Sequence, residues 1–179
     1  MDLPVMADSR MDAVINTPCD DIDLTDWVFG LTDAEYQACS KDHIAAASSR
    51  TSDGKRMSIN IERIGNLIVQ HYVETVAERT HCRLVSLSDS FGPGISARGQ
   101  VHVMWEFFVE PIGAATTKFT NHVEVKAVAG YEEALRRQGV SLPQAQQRAQ
   151  GILAPHNTEE TLLFAKDIER KARQRRWAR

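Results

Sequence analysis

Cysteine is scarce in this chain of 179 residues: Cys19, Cys39 and Cys82 stand far apart and form no CxxC. Neither a disulfide framework nor a cysteine zinc site is suggested, and the composition suits a reducing compartment. Long apolar runs are lacking as well. No stretch approaches the roughly 20 residues that a bilayer-spanning helix requires, and the opening MDLPVMADSRMD has no basic region followed by an apolar one. The expectation is a cytoplasmic protein without a membrane partner. Also missing are GxxxxGK[ST], GxSxG, HExxH and the strand–helix alternation of a Rossmann sheet, which disfavours nucleotide-driven and serine-hydrolase chemistry; no nucleotide cofactor is expected. A net charge of −3 argues against a general nucleic-acid binder.

What is present is an ordinary globular mixture, 42% hydrophobic and 25% charged, enough for one sizeable core. From Asp2 to Glu35 acids dominate, with Arg10 the only base, and Pro4 and Pro18 interrupt any period. Residues 1–25 therefore read as a loose acidic arm and 26–179 as a single domain. Thr32 and Glu35 form a capping box that opens a helix expected to reach about Ala47. From Met57 to Val128 the text is β, in runs that include LIVQHYVETV, HCRLVSLSDSF, VHVMWEFFVE and TTKFTNHVEVKAV, with a Gly-rich break at 92–94. In the last run Phe119, Asn121, Val123 and Val125 share one face and Lys118, Thr120, His122, Glu124 and Lys126 the wet one, as in an antiparallel sheet. After Gly130 helix returns: YEEALRRQ closed by Gly139, a Gln/Arg-rich tract at 144–150, then a longest helix expected to start at Pro155. Its end collects Lys166, Arg170, Lys171, Arg173, Arg175, Arg176 and Arg179, which suit a helix C-terminus and a solvated tail. The fold class is α+β. A curved sheet and one long helix that cover each other incompletely leave a cavity, so a small apolar or aromatic molecule is the expected partner; an oligomer is allowed.

The segment WEFFVEPIGAATTKFTNHVEVKA, followed by a long terminal helix, resembles the START/Bet v1-like superfamily, the SRPBCC or helix-grip proteins, over about residues 57–175. The resemblance implies a helix-grip fold, a curved antiparallel sheet wrapped around a long C-terminal helix. It also implies a cavity for lipids, aromatic polyketides or hormones, in which some members catalyse cyclisation or hydrolysis. Two features depart from the pattern. A first strand is hard to find before Thr32 unless it lies in DAVINT, and the insertion from Tyr131 to Ala154 exceeds a simple loop.

A narrower likeness lies in HNTEE at 156–160, which resembles zinc-dependent hydrolases of the diacetylphloroglucinol hydrolase type. That resemblance implies a His-x-x-x-Glu pair on the C-terminal helix, here His156 and Glu160, joined by a His and a Glu from the sheet. By order and approximate location the sheet candidates are His71 and Glu106. It further implies zinc as the metal and hydrolysis of a carbon–carbon bond between an acyl group and an electron-rich ring. Four-residue spacing puts His156 and Glu160 on one helical face, able to meet at one ion; a helix-capping sequence would contain the same residues. His71 reads equally as a buried neutral imidazole, and Glu106, between Met104 and Phe108 on its strand face, must be solvated, paired or coordinated. The expected pocket lining is Trp105, Phe107, Phe119, Asn121 and Phe164. Tyr72, Glu74 and Asn121 are candidates to hold phenolic hydroxyls, although on a regular strand Tyr72 and Glu74 face away from His71. His43, His81 and His102 have no spacing that forces a ligand reading. A non-catalytic carrier of an apolar ligand and a metal-free cyclase or dehydratase are the alternative functions.

Overall fold

The computed structural model describes residues 3–92 and 98–177. Seven antiparallel strands form one sheet in the order β1-β7-β6-β5-β4-β3-β2: β1 Val5–Ile15, β2 His43–Arg50, β3 Arg56–Ile64, β4 Asn66–Ala77, β5 His81–Phe91, β6 Arg98–Gly113 and β7 Thr116–Ala127. The connection from β1 to β2 carries a short 3-10 turn at Cys19–Asp21 and two small helices, α1 (Leu24–Phe29) and α2 (Asp33–Gln37). After β7 come α3 (Tyr131–Arg137) and the long α4 (Leu142–Arg173). Among the described residues no helix is long and apolar enough to cross a membrane. The Gly-rich break beyond Gly92 and Arg179 of the basic tail lie outside the described residues.

Three expectations are corrected. Residues 5–15 are not a loose arm but the edge strand β1, paired along its length with β7. Its period of two is hidden because three of the inward positions are small, Ala7, Ser9 and Ala13, while the acids point outward to partners on β7: Asp12 accepts from Thr120 Oγ1 at 2.6 Å and Asp8 lies 3.2 Å from His122 Nε2. The helix opened by the Thr32–Glu35 capping box stops at Gln37. His43–Arg50, rich in Ala, is a strand because β3 offers it a complete pairing partner, and pairing outweighs local propensity. Finally, α4 starts at Leu142, not Pro155, under a capping box of Ser141 and Gln144, and carries Pro155 inside it. The apparent insertion is α3 plus the first half of α4.

The two halves of α4 do different work. Its later half packs Phe164, Ile168 and Ala172 into the core, where Trp27 meets Phe107, Phe119 and Phe164 edge-on at ring distances of 5.4, 6.1 and 5.1 Å. Its first half lies over the sheet and is tied to β1 by amide side chains. Gln150 exchanges two hydrogen bonds with the Asp8 backbone (2.9 and 2.8 Å), and Gln146 donates to the Val5 carbonyl at 2.7 Å. The Gln-rich tract thus covers a strand edge whose backbone would otherwise stay unpaired. At the other end of the sheet Gly65, with φ +70°, turns β3 directly into β4; a Cβ there would sit 3.0 Å from Ile152 Cδ1, so the glycine also lets α4 approach the sheet.

Candidate active site

Between the inner sheet face and the first half of α4 lies a cavity of about 790 Å³. Tyr36, Glu62, Tyr72, Trp105, His156 and Glu160 line one end of it. Each has a structural cause for being there. His43 and Glu62 are direct cross-strand partners in the β2–β3 register, so their side chains leave the sheet on the same side. His156 and Glu160 are one turn apart on α4. All four are buried.

The four side chains converge. His43 Nε2 lies 3.3 Å from Glu160 Oε2 and 3.8 Å from Glu62 Oε2; His156 Nε2 lies 3.4 and 3.7 Å from the same two oxygens. His43 Nδ1 is 2.7 Å from the Tyr36 carbonyl, which can only accept, so that nitrogen carries a proton and Nε2 is the ring atom turned to the cluster. The Tyr36 ring stacks on the imidazole at 3.8 Å and fixes its plane. Glu160 is oriented by a relay: Trp105 Nε1 donates to Asn121 Oδ1 at 2.9 Å, and Asn121 Nδ2 donates to Glu160 Oε1 at 3.0 Å. Glu62 receives Tyr36 Oη at 3.2 Å and Gln70 Nε2.

Burial opposes charge on all of these groups. Against it, the neighbouring imidazoles of His156 and His43 hold the Glu160 carboxyl down at about 2, and Glu160, Glu62 and Asp42 push His156 up to about 9. Glu62 goes the other way: burial, with the Glu160 charge beside it, lifts its carboxyl above the ordinary range despite the two imidazoles. The cluster thus satisfies one carboxylate and leaves the second short of positive charge. Two ring nitrogens, His43 Nε2 and His156 Nδ1, have no hydrogen-bond partner. Tetrahedral zinc with bonds of ~2.0–2.2 Å separates its ligand atoms by roughly 3.3–3.6 Å, close to the distances found here. His43, Glu62 and His156 each bring one donor atom within 4.8 Å of the others, a set and spacing that fit a divalent metal, and Glu160 Oε2 lies against both imidazoles.

No protein-family model matches the chain, and no curated protein matches it. Solved structures do. The Zhui aromatase/cyclase from Streptomyces sp. R1128 superposes with a TM-score of 0.66 at 10% identity, covering 92% of this chain and 94% of that one. The di-domain ARO/CYC StfQ from the steffimycin biosynthetic pathway gives 0.61 at 8% identity, over 94% of this chain and 52% of its own. A Thermus thermophilus protein, TTHA0849, gives 0.50 at 11%, over 93% and 97%. The chain has the helix-grip fold. At these identities the likeness is one of architecture, and the chemistry has to be argued from this site.

In the helix-grip frame the residues expected from sequence separate into two groups. His156 and Glu160 stand side by side at the cavity, but His71 and Glu106 cannot join them. His71 is exposed on the outer sheet face, and Glu106 is on that face too, 2.8 Å from His81 Nε2 and 3.7 Å from His122 Nδ1. The reason is strand parity: Gln70 and Tyr72 point inward on β4, and Trp105 and Phe107 on β6. Of the expected pocket lining, Trp105 borders the cavity, whereas Phe107, Phe119 and Phe164 are fully buried core around Trp27. Asn121 is fully buried as the relay to Glu160 and does not border the cavity. His43 and Glu62, with Tyr36 and Gln70, are site residues that the sequence pattern does not single out. One signal pointed to Glu62: in SINIE the polar Ser58, Asn60 and Glu62 alternate with Ile, and they are the buried side.

Proposed function

We propose that this chain is a small-molecule pocket enzyme of the helix-grip type that uses a divalent metal, zinc first among candidates, to hydrolyse an acylated phenolic or polyketide-like compound. The observation that carries this reading is the convergence of His43 Nε2, His156 Nε2, Glu62 Oε2 and Glu160 Oε2 at the lined end of the cavity. When bound, such a metal polarises a carbonyl oxygen and makes water acidic near neutral pH. The chain's own residues do the rest. Gln70 Nε2 donates to the Tyr72 hydroxyl at 3.1 Å, and burial keeps that phenol protonated, so its proton is available to a ligand oxygen. Trp105, Val103 and Val123 give the ring an apolar wall and displace water from it. Hydrolysis breaks the acyl–ring bond, gives the acyl carbon a hydroxyl and returns a proton to the ring carbon. The products are a carboxylic acid and a deacylated phenol.

The experiment is to purify the protein without added metal, measure its metal content by elemental analysis, and assay a panel of ring-acylated resorcinols with and without chelator. Bound or readily taken-up metal, with chelator-sensitive release of carboxylic acid, supports the reading. Failure of zinc, manganese and iron to bind overturns it.

A second reading, a metal-free cyclase or dehydratase, draws on the architectural likeness to the aromatase/cyclases. In it Glu62, with its carboxyl lifted by burial, and His43 serve as the acid–base pair. It predicts turnover that persists in chelator and is lost in Glu62→Gln. A non-catalytic carrier predicts that His156→Ala and Glu160→Ala leave ligand affinity intact.

A further inference from the structure

The cavity is graded along its length. At one end stands the His–Glu cluster; the middle is lined by Val101, Val103, Val125, Ile152 and Leu153. Farther back along α4 the lining includes Arg148, an exposed arginine. Arg148, Ile152 and His156 follow one another at four-residue intervals on α4, so the guanidinium begins eight residues, about 12 Å of helix rise, from the imidazole. A second arginine, Arg98, also borders this part of the cavity, but it is already committed to Asp89, with Nε and Nη2 each donating at 3.0 Å. Arg148 has no carboxylate within ion-pair distance among the described residues. On the adjoining helix α3, Glu133 is already paired with Arg136 and Arg137.

We propose that the ligand is an elongated amphipathic acid, with an oxygenated ring at the His–Glu end, an apolar middle, and a carboxylate or comparable anionic group held by Arg148. A volume of about 790 Å³ is far more than one ring fills, which agrees with a ligand that reaches both ends. Arg148 is then a specificity residue that reads the far end of the molecule and takes no part in bond breaking. The orientation of the ligand rests on the metal-site reading; the preference for an anion does not.

The test uses two probes, a resorcinol ring bearing an ω-carboxyhexyl chain and its primary amide, titrated by calorimetry into the zinc-treated and the chelator-treated full chain. The acid is expected to bind about fivefold more tightly than the amide, the size typical of an ion pair at a solvent-accessible rim. Arg148→Gln should reduce that ratio to about one while leaving the amide's affinity unchanged, and Arg98→Gln should preserve it. Equal binding of acid and amide, no binding of either probe, or an acid preference that survives Arg148→Gln overturns the proposal. Metal uptake without acid preference refutes this inference alone. Acid preference in a protein that takes up no metal refutes the metal reading alone.

Discussion

Zinc added to chelator-stripped protein should raise the thermal midpoint, by an amount that can be worked out. Each imidazole Nε2 already stands 3.3–3.8 Å from the two carboxylate oxygens, and three of the four side chains are held by contacts outside the cluster: His43 by the Tyr36 carbonyl and ring, Glu160 by Asn121, and Glu62 by Tyr36 and Gln70. Little ordering cost therefore opposes binding, and none of these placements survives unfolding, so the ion binds the folded chain selectively. A ligand at 100 times its Kd then stabilises by about 2.7 kcal/mol. For a chain of this size about 1 kcal/mol moves the midpoint by about 2–4 °C, giving a rise of about 5–11 °C. Differential scanning calorimetry with increasing zinc measures it directly. His43→Ala removes one donor and leaves two carboxylates facing a single imidazole, so its zinc-dependent rise should fall below about 2 °C. A midpoint unmoved by millimolar zinc, manganese or iron would refute the reasoning. So would a His43→Ala protein that gains as much as the parent, because the shift would then come from ions bound elsewhere.

The outer-face residues supply the control: His71→Ala and Glu106→Gln should keep the full zinc-dependent rise, since both lie across the sheet from the cluster. Asp42 Oδ2 faces the unpartnered His156 Nδ1 at 3.6 Å, the position of a carboxylate that orients a metal-bound imidazole, and Asp42→Asn should weaken zinc affinity about 10–100-fold in a competitive chelator titration. Trp105→Phe strips the donor from buried Asn121 Oδ1 and should cost about 1–3 kcal/mol in urea unfolding, with a weaker zinc response because Glu160 loses its anchor. Lys171 is almost wholly buried between Glu35 and Asp167, each at 3.0 Å; Lys171→Met should cost about 2–4 kcal/mol by the same assay. Burial raises the Glu35 carboxyl, but the Thr32 amide, Lys171 and Arg170 outweigh it and hold it at about 2, below its ordinary 4.5. Its contribution is therefore complete above about pH 4.5 and is lost as the pH falls through about 2, and in an acid titration of Lys171→Met that loss should be smaller and finish at higher pH.

Much of the architecture was legible because helix-grip folding leaves strong periodic marks in the second half of the chain. In β7 the alternation marks Phe119, Asn121 and Val123 as the inner face, and they are buried; Thr120, on the other face, is buried as well, bonded to Asp12 of the neighbouring strand. The pair His156–Glu160 was legible because helical spacing alone decides that two such residues are neighbours. The sheet side of the site was hidden by an inversion of the usual pattern. On β3, β4 and β5 the buried face carries Ser58, Asn60, Glu62, Gln70, Ser86 and Ser88, while Val85 and Leu87 stand 41% and 46% exposed on the other. A rule that sends hydrophobic residues inward therefore picks the wrong parity there, and it selected His71 with Val69 and Val73 in place of Gln70 and Tyr72. His43 was hidden for a different reason: it sits in a stretch of good helix formers that becomes a strand only because β3 pairs with it. Both failures have one physical source. A strand that lines a polar cavity is selected for the groups it presents to a ligand, and its inner face gives up apolar character that the core around Trp27 supplies elsewhere. The inversion is thus a functional mark in its own right. Over three adjacent strands, buried hydroxyls, amides and a carboxylate would each cost stability unless partnered, and here they are joined to one another, as in Ser58 to Asn60, Gln70 to Glu62 and Ser88 to Ser86. A chain that needed only a packed sheet would have filled those positions with valine and leucine.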